Sequence, residues 1–427
     1  MVLQEQAEAG AADAPGAGVS PAGSSSPPAG GDAASGRVLR RDRLAAGVRI
    51  SVELEPLIVP DRAVVVEAVR TLIGHGPSAR AGRVFDRDSW RYQPDELDRQ
   101  AERMVKELPL HLTGDAGLPQ LRQAADPDLP FTVFLGEDRA SLCIDHRIGD
   151  GFLGVMLTAG VLAGKGVPSV FRSADDRDPL PDALRATFWR SPGRVRELLR
   201  ARLGERLSER SATTATPTVD AQRGSLDLVT AAMSSDTFRE LAAWSRGRVH
   251  PALAMMFALR SALERVGIPV LDEGSILVDL RRYLPSGRST LGNFVVGQPL
   301  SVAGGIDAAD ARFSRDLRVG RPLAALTVGL VAQPWRRSSP RLVPASAHPI
   351  VSDMGFLRAL DVLPWATDTP TIRVSVDPAA RNGITALTAV LHRRMNVSMS
   401  FDASMFARSS VEEACDLLCR DPKGLLP

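Results

Sequence analysis

Residues 130–164 constrain the fold most, because they combine two strand patterns with a helix that is apolar nearly all round. Pro130–Leu135 and Ala140–Asp145 are rich in β-forming residues and flank the polar turn Gly136–Arg139, which predicts a β-hairpin. The next segment reads GFLGVMLTAGVLAG from Gly151 onward and has no polar face. A helix of this kind is buried inside a protein, so the chain needs further layers of structure to cover it.

The size and composition of the chain indicate a large globular protein. At 427 residues, with 44% hydrophobic residues, the chain is long enough for two domains. A net charge of +2 argues against nucleic acid as the main partner. No apolar run reaches the ~18–20 residues that cross a bilayer, and no secretory signal is visible. We therefore expect a cytoplasmic protein without a transmembrane segment.

The three cysteines are Cys143, Cys415 and Cys419. An odd number in a long chain is typical of a reducing compartment rather than of a disulfide framework. Cys415 and Cys419 have helical spacing and lack the additional ligands of a zinc site, so we expect no metal.

Composition also divides the chain into segments. Residues 1–36 consist mainly of Ala, Gly, Ser and Pro, which predicts a disordered tail. Residues 211–220 are polar and poor in helix formers, which is typical of a linker. We therefore predict one lobe over residues 37–210 and a second over residues 221–427.

Strand and helix patterns alternate in both predicted lobes, so we expect an α/β or mixed α+β fold with two sheets. Ser235 or Asp236 is the expected cap of the first helix in the second lobe, which should end at Arg246. The other elements expected in the second lobe are strands at Leu226–Met233, Ile276–Leu280, Asn293–Val296, Thr371–Val376, Ile384–Leu391 and Val397–Phe401, and helices at Ala252–Val266 and Ser410–Cys419.

His146 is the first candidate for chemistry, since it follows the second strand of the predicted hairpin. A neutral imidazole, with a reference pKa near ~6.5, can accept a proton from a hydroxyl or an amine. Asp150 follows four residues later, and Gly151 gives the turn a permissive backbone. The spacing alone leaves a structural alternative open, because Asp150 is also an ideal N-cap for the next helix.

Together with three later stretches, the sequence His146–Gly151 resembles the H-x-x-x-D-G motif of the chloramphenicol acetyltransferase-like acyltransferases. This superfamily includes condensation domains of nonribosomal peptide synthesis, alcohol acyltransferases and polyketide-associated acyltransferases. Val278–Arg281 and Leu291–Val295 are similar to its strand, arginine loop and "GNF" segment. Pro349–Gly355 is similar to its V-S-N-x-G stretch, with Asp353 in place of asparagine, and Val397–Asp402 resembles its last sheet strand.

The resemblance implies two lobes that meet along a tunnel, with donor and acceptor entering from opposite faces. It also implies a role for each matching residue. His146 would be the general base, and Asp150 would point away from substrate and pair with Arg281, with Arg282 as the other possible partner. Ser352 would donate a hydrogen bond to the oxyanion of the tetrahedral intermediate. Asn293 would be structural, in the segment that crosses between the lobes.

The same resemblance implies the reaction and its partners. An acyl group would move from acyl-coenzyme A, or from a phosphopantetheine-linked thioester on an acyl carrier protein acting in trans, to a small-molecule hydroxyl or amine. No separate cofactor is expected. Natural-product or lipid biosynthesis is the expected setting. Condensation domains commonly carry a second histidine where this chain has Asp145, so the departure favours an ester- or amide-forming relative.

Two other functions remain open from the sequence. Asp145 and Asp353 are compatible with a catalytically silent module that binds a carrier protein or a partner enzyme. A hydrolase with a serine nucleophile is less well supported, because the chain has no G-x-S-x-G motif. The arginine-rich stretch Arg194–Arg210, with apolar Val195, Leu198, Leu199 and Leu203, fits either a solvated helix or a surface for an acidic carrier protein or coenzyme A phosphates.

Overall fold

The computed structural model describes residues 33–163, 169–172, 176–209, 218–220, 224–332 and 342–427. None of the described helices is both long and apolar enough to cross a bilayer. The strands of this part of the chain are β1 Ala34–Arg37, β2 Arg49–Glu55, β3 Val84–Asp86, β4 Ser89–Tyr92, β5 Val105–Glu107, β6 Phe131–Leu135, β7 Ala140–Asp145, β8 Thr218–Asp220, β9 Leu226–Met233, β10 Glu273–Asp279, β11 Val295–Ser301, β12 Leu342–Pro344, β13 His348–Phe356, β14 Thr371–Val376, β15 Gly383–Leu391 and β16 Arg394–Asp402.

The helices divide into long helices and short turns. Those of eight or more described residues are α1 Arg62–Ile73, α2 Leu97–Met104, α3 Gly151–Leu162, α4 Pro192–Glu209, α5 Ser235–Ser245, α6 Pro251–Arg265, α7 Gly305–Val319, α8 Arg321–Ala332 and α9 Arg408–Arg420. The shorter α-helical turns are Arg40–Arg43, Gly114–Gly117, Leu121–Ala124, Ser169–Arg172 and Leu180–Leu184. A single 3₁₀ turn, Leu280–Tyr283, bears on the site described below.

The first lobe is built on a five-stranded sheet in the order β14-β2-β7-β6-β5. The predicted hairpin is confirmed: β6 and β7 are antiparallel, and the Gly136 amide donates to the Arg139 carbonyl over 2.9 Å. The apolar helix is α3, and most of its side chains are buried in the core of this lobe. Leu153 and Leu157 are completely buried there, as a helix without a polar face requires.

The second lobe is built on a six-stranded sheet in the order β11-β10-β13-β15-β16-β9, with a separate core. The predicted strand Leu226–Met233 is confirmed as β9, and the predicted helix Ala252–Val266 corresponds to α6. The expected cap of α5 is wrong by at least one residue. Ser234 is the N-cap, because its hydroxyl accepts a hydrogen bond from the Thr237 amide over 3.1 Å.

The predicted boundary assigns β14 to the second lobe, but this strand belongs to the sheet of the first lobe. This strand lies in the second half of the chain, yet it pairs antiparallel with β2 at the edge of the first sheet. Its alternating Ile372 and Val374 side chains belong to the core of the first lobe. The strand pattern was correct, but the pattern does not specify which sheet the strand joins.

Side chains of β16 connect the two sheets along the free edge of β14. The amides of Ile372, Val374 and Val376 donate to side-chain oxygens of β16, at distances of 3.4, 3.1 and 3.2 Å. The acceptors lie at alternate positions along β16 and are Asn396, Ser398 and Ser400. Edge amides that a strand would otherwise leave unpaired are therefore satisfied across the junction between the lobes.

Two predicted segments need partial correction. β1 begins at Ala34, inside the predicted tail of residues 1–36, and pairs with β4; residues 1–32 lie outside the described part of the chain. Within the predicted linker, Thr218–Asp220 forms β8 and pairs with β12, while residues 211–217 lie outside the described residues. Both short strands obtain a partner from a distant segment, which local composition does not reveal.

Candidate active site

His146 lies in the turn that joins β7 to α3. β7 is buried along its whole length and ends at Asp145. The His146 amide donates to the Val48 carbonyl over 3.0 Å, and the Ile148 amide donates to the Asp145 carbonyl over 3.1 Å. The turn is thus anchored to the segment before β2 and closed on itself. His146 itself is half-buried.

No described residue forms a hydrogen bond with Nδ1 of the His146 imidazole, although that atom is buried. The carboxylate of Asp150, four residues later, forms its hydrogen bonds with other groups. The arrangement therefore differs from a catalytic triad, in which an acidic residue orients the histidine. The position of the imidazole depends instead on how the backbone of the turn is held.

Asp150 connects the turn to the second lobe. Its carboxylate accepts two hydrogen bonds from the guanidinium of Arg281, from Nη1 to Oδ2 at 2.9 Å and from Nη2 to Oδ1 at 3.1 Å. It also accepts from the Phe294 amide at 3.0 Å and caps α3 through the Phe152 amide at 3.2 Å. Both readings of Asp150 from the sequence, helix cap and partner of Arg281, thus describe the same carboxylate.

Every nitrogen of the Arg281 guanidinium donates hydrogen bonds within the protein. It lies in the 3₁₀ turn after β10 and is only 2% exposed. Its Nε donates to the Thr290 carbonyl at 3.0 Å, and Nη2 donates to the Gly292 carbonyl at 3.1 Å. Burial alone would lower the pKa of Arg281, but the carboxylates of Asp150 and Asp279 outweigh it and raise the pKa above its usual value.

The neighbouring Arg282 does not take this role. Its side chain is exposed and lies near the ring of Tyr283, 6.0 Å from the ring centroid. Asp279, in contrast, accepts from Nη1 of Arg281 at 3.2 Å, and burial raises the pKa of this carboxyl group despite the arginine. The buried charges around Asp150 therefore belong to one network with Arg281 at its centre.

Two further side chains hold consecutive carbonyl groups of the turn, those of His146 and Arg147. Nδ2 of Asn293 donates to the carbonyl oxygen of His146. Nη2 of Arg80 donates to the carbonyl oxygen of Arg147 over 3.1 Å. Asn293 lies in the second half of the chain and Arg80 in the first, so the turn is held from both sides.

Asp145, which stands where condensation domains commonly have a second histidine, forms a local ion pair. Its Oδ1 accepts from the amide and from Nε of Arg147, both at 2.9 Å, and Oδ2 accepts from Nη2 of the same residue at 2.7 Å. The Arg147 guanidinium also stacks over the ring of Phe85, 4.2 Å from its centroid. Asp145 therefore shapes the turn and is 2% exposed.

The strand β13 brings the second lobe against Gly151. A Cβ placed on Gly151 would lie 2.7 Å from Cε and 2.8 Å from Sδ of Met354, so the helix start and this side chain are in close contact. Ser352 lies two residues earlier on the same strand and is buried. The register of β13 is irregular between Asp353 and Phe356, so Ser352 belongs to the regular part of the strand and Met354 to the irregular part.

Asp353, which replaces the asparagine of the V-S-N-x-G stretch, has structural partners. Its Oδ1 accepts from the Gly355 amide at 3.0 Å and from the Thr388 hydroxyl at 3.1 Å. An asparagine oxygen could accept the same two bonds, so the substitution preserves this contact. Among the described residues, no cluster of three or more His, Cys, Asp or Glu side chains is arranged to hold a metal ion.

Sequence reasoning did not identify Asp42, Arg80 or Arg147 as part of this site. Charged residues in short polar stretches are usually solvent-exposed, and these side chains look ordinary in the sequence. The run Arg40–Arg43, with four charges in succession just before a strand, was the available signal. Pairing such a run with Arg80 requires the fold.

Comparison with known proteins identifies the fold. No protein-family model matches the sequence, and none of the curated proteins does. Among solved structures, the chain is similar to a trichothecene 15-O-acetyltransferase from Fusarium sporotrichioides, with a TM-score of 0.61 and 9% identity over 92% of this chain and 96% of that one.

Two further solved structures come from other groups of proteins. Polyketide synthase associated protein 5 from Mycobacterium tuberculosis gives a TM-score of 0.52 at 15% identity, covering 90% of this chain and 96% of that one. The epimerization domain from the third module of tyrocidine synthetase B gives 0.51 at 14% identity, covering 91% and 93%. The chain has the two-lobed chloramphenicol acetyltransferase-like fold that these structures share.

Proposed function

We propose that the protein is an acyltransferase that moves an acyl group from a thioester to a hydroxyl or an amine, with His146 as general base. One observation supports this most: the turn that carries His146 is bonded to both lobes, since Asn293 holds the His146 carbonyl and Arg80 holds the Arg147 carbonyl. Because both oxygens of the Asp150 carboxylate accept hydrogen bonds from Arg281, Asp150 positions the turn and takes no part in the reaction. A fixed base between two lobes suits a reaction between two substrates.

In the proposed step, Nε2 of His146 removes the proton from the acceptor hydroxyl or amine. We assign the base to Nε2 because Nδ1 is buried. The acceptor oxygen or nitrogen attacks the thioester carbonyl carbon, and a tetrahedral intermediate forms. The carbon–sulfur bond then breaks, and the thiolate takes the proton back from the imidazolium. The products are an ester or an amide and a free thiol, so atoms and charge balance.

The hydroxyl of Ser352 is our candidate donor to the oxyanion of that intermediate. It lies on the strand whose Met354 contacts Gly151, next to the start of α3. A preorganised donor at this position would stabilise charge that develops only in the transition state. Donor and acceptor would reach His146 through a tunnel between the lobes, from opposite faces.

The donor is either acyl-coenzyme A or an acyl thioester on a carrier protein, and helix α4 bears on this choice. Val195 is 41% exposed and Leu199 60% exposed on this helix, beside the exposed Arg196 and Arg200. Exposed apolar side chains beside exposed arginines suit contact with an acidic protein surface. We therefore favour a carrier protein as partner. Comparing acyl transfer from the carrier protein with transfer from coenzyme A tests this choice. The setting would be natural-product or lipid biosynthesis in the cytoplasm.

A catalytically silent binding module is the alternative. The two departures that favoured it, Asp145 and Asp353, each have structural hydrogen bonds in this fold. Those bonds explain the two carboxylates without loss of catalysis, so they weaken the alternative. Its distinguishing property is donor binding without turnover.

The proposed activity is tested by incubating the full chain with octanoyl-coenzyme A, or with an octanoyl-loaded acyl carrier protein, in the presence of octanol or octylamine. We expect free thiol to be released and an octanoyl ester or amide to be found by mass spectrometry. His146→Gln should slow this release by roughly 10²–10⁴-fold. His75→Gln should not slow it, since this histidine bonds the Thr71 carbonyl at the end of α1. Donor binding without product in any combination would favour the silent module instead.

A further inference from the structure

The buried carboxylate of Asp42 bonds both Asn293 and Arg80, the two residues that hold the histidine turn. Asp42 lies in the short helix Arg40–Arg43 and is completely buried. Its Oδ1 accepts from the Asn293 amide at 3.1 Å, and its Oδ2 accepts from Nη2 of Arg80 at 2.5 Å. Asn293 and Arg80 are the residues whose side chains hold the carbonyls of His146 and Arg147.

The two links converge on one short stretch of backbone. Arg80 uses the same Nη2 atom for Asp42 and for the Arg147 carbonyl, so the carboxylate fixes the direction of that guanidinium. The backbone amide of Asn293 donates to Asp42, while its side-chain Nδ2 donates to the His146 carbonyl. One carboxylate thus determines where two consecutive carbonyls, on either side of the Arg147 amide, can lie.

The charges around Asp42 make its negative charge necessary for this geometry. Arg41 and Arg80 both lie against Gly292, where an added Cβ would be 2.6 Å from Nη2 of Arg41 and 2.7 Å from Nη1 of Arg80. Burial, and then the neighbouring Arg80, lower the pKa of Arg41, while Asp42 opposes both. Without the Asp42 charge, the repulsion between the two guanidinium groups across Gly292 would be offset mainly by Asp176, 2.9 Å from Arg80, and by Asp178, 3.9 Å from Arg41.

We propose that Asp42 is a positioning residue for His146: through Asn293 and Arg80 it holds the two carbonyls that place the imidazole between the lobes. This inference rests on the proposed function of His146, but the geometry itself does not. Asp42 makes no direct contact with the reacting atoms, and its influence on catalysis passes through the turn.

Asp176 provides a matched control within the same cluster. Its carboxylate also pairs with Arg80, through Nη1 at 2.9 Å, and with Nη2 of Arg83. Within the described part of the chain, its carboxylate bonds neither Asn293 nor the backbone of the turn. Asp42→Asn and Asp176→Asn therefore remove the same charge from the same arginine, and only the first removes one of the two acceptor oxygens that link to the histidine turn.

The experiment compares these two variants by kinetics and by chemical modification. In thiol release from octanoyl-coenzyme A, Asp42→Asn should lower kcat roughly 10- to 100-fold and leave KM within about twofold, whereas Asp176→Asn should leave kcat within about threefold. The rate at which diethyl pyrocarbonate modifies His146, followed by peptide mass spectrometry, should differ from the wild-type rate by about fivefold or more in Asp42→Asn. In Asp176→Asn it should not differ. Other histidines should react at the wild-type rate.

The outcomes separate this inference from the proposed function. Equal effects of the two variants on kcat and on His146 modification would overturn the positioning role while the acyltransferase reaction stands. If the wild-type protein transfers no acyl group but Asp42→Asn changes the modification rate of His146, the proposed function is overturned and the positioning role stands. If Asp42→Asn does not fold, Asn293→Ala breaks the last link without removing a buried charge; unchanged kcat and His146 modification in that variant would also refute the inference.

Discussion

Asp145 and Asp150, which enclose the histidine turn, are both buried and both form bidentate ion pairs with an arginine. Asp145 binds Arg147, two residues away in the same turn. Asp150 binds Arg281, which is 131 residues away and follows a strand of the second lobe. The first pair shapes the turn, whereas the second fixes the turn against the other lobe. The same chemistry therefore serves local conformation on one side of His146 and assembly of the lobes on the other.

The largest effect should follow from breaking the long-range pair. Arg281→Met leaves the Asp150 carboxylate buried without its cation, so we expect about 3–5 kcal/mol loss in the free energy of unfolding, together with loss of acyl transfer. Denaturant unfolding measures the first and thiol release the second.

A double-mutant cycle shows whether the two side chains act as one unit. Asp150→Asn combined with Arg281→Met should cost less than the sum of the single changes, with a coupling of roughly 1–3 kcal/mol. Additive costs would mean that the contact contributes nothing, and Asp150 would then be only the N-cap of α3.

The local pair should matter less. Asp145→Asn weakens the contact with Arg147, but that guanidinium keeps its bond to the Arg87 carbonyl at 3.0 Å. We expect a loss of roughly 1.5–3 kcal/mol in unfolding free energy and less than about a tenfold loss of kcat. The control is Asp138→Asn, since Asp138 pairs with the adjacent Arg139 at the surface, where a change within about 1 kcal/mol is expected. A larger effect at Asp145 than at Arg281 would reverse the comparison.

A smaller change in stability is expected where the turn leads into α3, at the contact of Gly151 with Met354. Gly151→Ala forces the end of the Met354 side chain to move, at an expected cost of about 1–3 kcal/mol in unfolding free energy. Because a thioether chain is flexible, the double variant with Met354→Ala should recover part of that cost. No recovery would show that backbone strain, rather than Met354, limits this position.

Much of this arrangement was predictable, because local patterns specify local structure. The β-forming residues of Pro130–Leu135 and Ala140–Asp145 and the unbroken apolar run from Gly151 predicted the strand–turn–helix that carries His146. The pairing of Asp150 with Arg281 came from the resemblance, since spacing alone also allowed a simple cap. Sequence did not place β14 in the first sheet, because a strand pattern does not name its partner. It also did not reveal Asp42 and Arg80, because a buried charge is defined by partners far away in the chain.

The smallest effect should come from the N-terminal segment. Residues 1–32 contain few large apolar side chains, so their removal should leave the melting temperature and kcat unchanged within error. The truncation must keep β1, which pairs with β4 from Ala34 onward. A drop of several degrees on removing residues 1–32 would show that they pack on the first lobe, and that anchoring of the turn near Asp42 extends further toward the N-terminus.

The most direct test of the central claim is the kcat of His146→Ala, measured against pH with a bound acyl donor. If both lobes hold His146 in place as the general base, kcat should fall by roughly 10²–10⁴-fold while octanoyl-coenzyme A binds as before. The pH dependence of kcat should differ between the wild-type protein and the variant, because only the wild-type protein has a base at this position. A residual rate is expected, because holding donor and acceptor together already contributes. A folded His146→Ala protein that binds the donor and transfers the acyl group at the wild-type rate would contradict the mechanism.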